Sequence, residues 1–95
     1  MASLSLSKTI RSLSLGANGL KTPAQVVGLF NLTFLQELDL SNNYLTTLTP
    51  GFVQLRNLQV LNVANNELTK INEIYYLSKL RDFDASGNNL SLDSI

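Results

Sequence analysis

Apolar side chains recur along this chain in clusters with one spelling. From Leu35 to Leu58 the sequence reads LQELDLSNNYLTTLTPGFVQLRNL, with Leu35, Leu38, Leu40 and Leu45 apolar and Asn43 between the last two. The Leu38–Leu40 alternation has the two-residue period of a strand with one buried face. Asn43 marks the turn out of that strand. Leu48, Phe52 and Leu55 follow at spacings of three or four and lead back to Leu58. The same order appears at Ile10, Leu13, Leu15, Asn18 and Leu20. It returns at Leu58, Leu61, Val63, Asn66 and Leu68, and again at Leu80, Phe83, Ala85, Asn88 and Leu90. One such match arises by chance in amphipathic elements; four in register define a repeat.

The units run over residues 10–34, 35–57 and 58–79, with a partial unit over 80–95, so the whole of 10–95 reads as a single repeat domain. The return paths differ. In the first, Thr22, Pro23 and Gln25 spell a helix start: a Thr N-cap, Pro at the first position and Gln closing a capping box. Val26, Val27, Leu29 and Phe30 continue at helical spacing, which predicts a short helix over 23–30 packed under the strands. In the second, Thr49–Pro50–Gly51 predicts a turn, with Phe52 and Leu55 filling the core. In the third, Ile71, Ile74 and Leu77 are core candidates, and one of Tyr75 and Tyr76 is expected inside, leaving Tyr44 as the better exposed aromatic. Ala85 and Gly87 predict a looser last unit. Residues 1–9 read as a capping strand or as a tail, and their Ser-rich, acid-free composition also fits a targeting remnant.

The spelling LxxLxLxxNxL resembles that of leucine-rich repeat proteins. The resemblance covers about residues 10–95 and implies an α/β fold: a right-handed solenoid with a short parallel sheet on its concave face and short helices or turns on its convex face. It also implies that the Asn column (Asn18, Asn43, Asn66, Asn88) lies inside the coil and bonds the backbone of neighbouring turns, satisfying polar groups left open by the bend. On that reading Asn88, with no following repeat to support, is the member whose loss costs least. The 22-residue third unit is similar to those of protein phosphatase regulatory subunits, dynein light chains and a spliceosomal A-prime protein. The second is nearer the common 23-residue class. Cysteine-rich flanking caps of the extracellular members are absent.

In this family the outward residues of the concave strands carry recognition. One outward column holds Ser12, Glu37, Val60 and Asp82; the next holds Ser14, Asp39, Asn62 and Asp84; a third, read as a smooth floor, holds Gly16, Ser41, Ala64 and Ser86. Glu37, Asp39, Asp82 and Asp84 therefore form an acidic patch with Asn62 and Val60 between, framed by Arg11 and Arg81. The residues assigned to partner binding are Arg11, Glu37, Asp39, Asn62, Asp82 and Asp84. The expected partner is a protein presenting a basic segment, which the patch would select and steer. The competing reading is a strand face charged for solubility.

Composition narrows the chemistry. Seven basic and seven acidic residues cancel overall. Residues 1–36 hold Lys8, Arg11 and Lys21 without an acid, whereas residues 37–95 hold four basic residues against seven acids. The chain has no His and no Cys. This removes the Ser-His-Asp and Cys-His constellations, disulfides and the commonest metal ligands. No acidic Gly-bearing loop suits a hard cation, and Gly16-Ala-Asn-Gly19 lacks the Lys-Ser/Thr of a phosphate loop. There is no basic stripe with interleaved aromatics for nucleic acid, and no apolar run of about 20 residues for a membrane span. The expectation is a non-catalytic interaction module without cofactor. It is expected to be intracellular, cytoplasmic first, with the nucleus and organelles open. Two further roles stay open: a regulatory subunit controlling a partner enzyme, and a structural part of a ribonucleoprotein or cytoskeletal assembly. The missing last return path leaves Leu90, Leu92 and the 80–86 edge open, so that end is expected to be covered by a partner, a second copy or further chain.

Overall fold

The computed structural model describes residues 9–91. The N-terminal segment read as a cap or tail lies outside them except for Thr9. Among the described residues four three-residue strands form one parallel sheet in sequence order: β1 (Ser12–Ser14), β2 (Glu37–Asp39), β3 (Val60–Asn62) and β4 (Asp82–Asp84). Their register follows the aligned columns of the sequence. Leu13 faces Leu38, Leu38 faces Leu61, and Leu61 faces Phe83. A one-residue slip would move every leucine to the solvent side, so the apolar pattern enforces this pairing.

The connections between strands are built from 3-10 turns on the opposite side. They span Pro23–Gln25, Leu29–Asn31, Pro50–Gln54 and Asn72–Tyr76. The core lies between the sheet and these turns. Leu35, Leu40, Leu45, Leu48, Phe52, Leu55, Leu58, Val63 and Leu68 are all fully inaccessible to solvent. Each buried Leu or Phe removes enough apolar surface from water to favour folding by about 1.5–3 kcal/mol. The inner two coils therefore supply most of the stability. Their outer neighbours Leu13, Leu15, Phe83 and Ala85 are only half-buried.

The helix expected over 23–30 is two separate 3-10 turns. Thr22 is extended, and Gln25 Oε1 accepts from the Thr22 N–H at 2.9 Å in the expected capping box. Helix then fails to propagate. Val26 is extended, and Gly28 sits in the left-handed region at φ 85°. Two β-branched residues followed by a glycine disfavour continuation. Leu29 is buried as expected, but Val27 is 96% exposed. The third return path also departs from expectation, since Tyr75 and Tyr76 are both outside, 67% and 69% exposed. Ile71 and Leu77 fill the core there, with Ile74 packed against it.

Leaving each strand, the chain turns through a left-handed residue: Ala17 (φ 59°), Asn42 (φ 57°), Asn65 (φ 58°) and Gly87 (φ 70°). Three of these four are types that tolerate that region; Ala17 bears its steric cost of about 1–2 kcal/mol. The small column beside them is packed in the two inner coils, while Ser86 at its end is exposed. Ser41 and Ala64 are buried, and a Cβ on Gly16 would lie 3.4 Å from the Ser41 carbonyl oxygen. Small side chains are there because consecutive coils touch at this corner.

Candidate functional site

The Asn column forms a hydrogen-bonded ladder inside the coil. Asn43 Oδ1 accepts from the N–H groups of Asn18 (2.9 Å) and Leu20 (3.0 Å), while its Nδ2 donates to the carbonyls of Leu15, Leu40 and Ser41. Asn66 accepts from the Leu45 N–H and donates to Leu40, Val63 and Ala64. Asn88 accepts from the Leu68 N–H and donates to Val63, Ala85 and Ser86. Every Asn that bonds another repeat therefore reaches to the one before it. The expectation for Asn88 is reversed: it supports the third repeat, whereas the Asn18 side chain donates to the Gly16 carbonyl of its own turn.

The parallel register sets the outward residues of the strands in two rows. Ser12, Glu37, Val60 and Asp82 share one; Ser14, Asp39, Asn62 and Asp84 share the other. With strands about 4.8 Å apart, Glu37 and Asp39 stand roughly 10 Å from Asp82 and Asp84. Two shallow hollows lie on this face. One, of about 330 Å³, is bordered by β1, β2 and β3; the other, of about 450 Å³, by β3, β4 and Arg81. Neither is an enclosed cleft of the kind that desolvates a carboxylate.

The second row has local work to do. Asp39 Oδ1 accepts from the Ser41 N–H (2.9 Å), Asn62 Oδ1 from the Ala64 N–H (3.0 Å) and Asp84 Oδ1 from the Ser86 N–H (3.0 Å). Each closes a turn at the strand exit, the ordinary use of Asx side chains. Asp84 also accepts from the Ser86 hydroxyl at 2.7 Å. That hydroxyl first, and the Ser86 N–H second, hold the Asp84 carboxyl below its ordinary value of 3.8. In the first row, Ser12 Oγ approaches Glu37 Oε1 at 3.4 Å, and Asp82 lies 3.8 Å from Arg81 Nε with both side chains exposed. Arg81 thus stands beside the acids as expected. The Arg11 guanidinium lies 5.2 Å from the centre of the Phe34 ring, at the entrance to the strands. Among the described residues no three acids come together as a potential cation cage, and no helix is long and apolar enough to cross a membrane.

These features define a class: a solenoid of strand-and-turn coils, tied by an internal asparagine ladder, whose open strand face is a graded surface rather than a reaction pocket. The comparison with known families agrees. The leucine rich repeat family model matches residues 33–90, well over half the chain. The chain belongs to the leucine-rich repeat family. It is similar to Ras suppressor protein 1 of Mus musculus, with 45% identity over 47 residues, half of this chain and 17% of that protein. It is also similar to leucine-rich repeat and WD repeat-containing protein 1 of Mus musculus, with 39% identity over 54 residues, 57% of this chain and 8% of that protein. Among solved structures, a leucine-rich repeat protein of Leptospira interrogans superposes with a TM-score of 0.64 at 36% identity, over 70% of this chain and 17% of the other. The chain thus spans less than a fifth of the length of these relatives.

Proposed function

We propose that the chain is a non-catalytic protein-interaction module, a small part of a larger intracellular complex, that receives a basic segment of a protein partner on its concave strand face. Leucine-rich repeat proteins generally act by binding other proteins. The observation that favours this face is the pair of in-register rows, in which Glu37 with Asp39 and Asp82 with Asp84 flank the half-buried Val60 and Asn62. An extended basic segment laid across the strands would meet carboxylates at both ends and an apolar contact in the middle. Such complementarity adds association rate and selectivity more than raw affinity.

The test compares wild type with a variant carrying Glu37→Gln, Asp39→Asn, Asp82→Asn and Asp84→Asn as baits in native lysate. Asn62 already makes the same turn bond that Asp39 and Asp84 make, so the two Asp→Asn changes in that row keep their local structure. A protein enriched by wild type and lost by the variant supports the reading. Equal recovery by both baits rejects it and leaves the acids as solvation. The name of one relative, Ras suppressor protein 1, favours a second reading, a regulatory part acting on a partner enzyme. A change in the captured protein's catalytic rate on binding distinguishes that case.

A further inference from the structure

We propose a second docking surface of opposite sign, on the turns that feed β2, β3 and β4, which takes an acidic, Asp/Glu-rich segment of a partner protein. A hollow of about 520 Å³ lies there, bordered by Phe34, Arg56, Asn57 and Lys79 with the hydroxyl residues Thr33 and Ser78. Among the described residues no carboxylate borders it. Lys79 Nζ donates to Asn57 Oδ1 at 2.8 Å, and Asn57 Nδ2 donates to the Thr33 carbonyl at 2.7 Å. Three successive repeats thus hold the ammonium in place through a neutral relay, and no described residue gives it an ion pair. Arg56 is exposed and forms no ion pair with a described residue, in contrast to Arg81 beside Asp82.

Phe34 is 45% exposed and carries the Arg11 guanidinium against its ring, so an apolar wall and a further cation adjoin the hollow. The guanidinium of Arg56 suits a carboxylate bidentately, and the ammonium of Lys79 suits it as a point charge. A short patch with one aromatic lacks the basic stripe that tracks a nucleic-acid backbone. The net charge of the chain is zero, so attraction for a polyacid has to come from a local patch. This surface is separate from the concave face and does not depend on its reading.

The experiment is fluorescence anisotropy at low salt with a dye-labelled octaglutamate peptide. It compares wild type, the double variant Arg56→Gln/Lys79→Gln, and the charge-matched control Lys21→Gln/Lys70→Gln. All four side chains are exposed, and equal urea midpoints check that the fold is kept. With exposed pairs of ordinary strength, affinity should fall about five- to tenfold in the double variant and stay within twofold in the control. No binding to wild type, equal binding by wild type and the double variant, or an equal loss in the control would overturn the proposal. Tighter binding of a labelled octauridylate RNA through the same two residues would overturn the assignment to an acidic protein segment.

Discussion

Replacing members of the asparagine ladder by alanine should give a steeply graded series. Asn43 is 4% exposed and makes five hydrogen bonds. Asn43→Ala leaves the buried Leu20 N–H without its acceptor and removes donors from three carbonyls. A buried backbone group left unpaired costs about 1–3 kcal/mol. The Asn18 N–H, close to water, adds less, so the total comes to about 3–4 kcal/mol. Asn66→Ala strands one buried N–H, that of Leu45, and should cost about 2–3 kcal/mol on the same scale. Asn88→Ala strands the buried Leu68 N–H, but water reaches the half-buried Asn88 side of the bond, so the cost should be about 2 kcal/mol. Asn18→Ala breaks one exposed bond within its own turn and should cost under about 0.5 kcal/mol.

The Leu40 carbonyl accepts from both Asn43 and Asn66, and the Val63 carbonyl from both Asn66 and Asn88. Adjacent pairs should therefore be non-additive, while Asn43 with Asn88 should add. Urea unfolding monitored by circular dichroism measures the series, with an unchanged slope as the check that only stability has moved. An Asn18→Ala loss equal to that of Asn43→Ala, or no loss in Asn88→Ala, would refute the backward-reaching ladder.

Further predictions follow from individual positions. Thr49 stands at φ 64°, ψ 151°, and its buried hydroxyl has no hydrogen-bond partner among the described residues. Thr49→Gly should release about 1–3 kcal/mol of strain against about 0.5–1 kcal/mol of added chain entropy, raising Tm by roughly 5 °C; a lower Tm in thermal scans would contradict it. Gly51→Ala would place its Cβ within 2.6 Å of two carbons of the Phe30 ring, which packs edge-on to Phe52 at 5.6 Å. It should cost about 1–3 kcal/mol, read as a lower urea midpoint, and an unchanged midpoint would show that the ring moves freely. The Asp84 carboxyl should titrate below 3.8 by NMR, and Ser86→Ala should move its midpoint upward. Because the folded value is the lower one, the stabilising contribution of this contact is full above the ordinary value and is lost as pH falls through the folded value.

Much of this architecture is legible in the residues because a parallel solenoid has one register that buries every leucine. Aligning Leu38 with Leu61 fixes Glu37 beside Val60 and Asp39 beside Asn62 with no further information. What was not legible depends on direction and on backbone sign. The Asn column announces a bond to a neighbouring turn, but either neighbour satisfies the spelling, so the role of Asn88 was reversed. The left-handed column was visible in Asn42, Asn65 and Gly87, and Ala17 obscured it. The helix expected over 23–30 does not form: Thr22, Pro23 and Gln25 are sound start signals, but Gly28, the stop, comes before one full amphipathic face is complete. Ser41 and Ala64 looked like a smooth floor because small size reads equally as exposure without function or as close packing. The acids of the second row suggest recognition by their charge, and their bonds to Ser41 and Ser86 add a structural duty that short-range Asx chemistry also spells.

The most direct test of the account is site-specific photo-crosslinking in the native complex, with a crosslinking amino acid in place of Val60 at the centre of the strand face or of Tyr75 on the opposite side. Binding through the concave face predicts a crosslink to the captured protein from position 60 and none from position 75. A crosslink from position 75 with none from position 60 would contradict it and move recognition to the convex side.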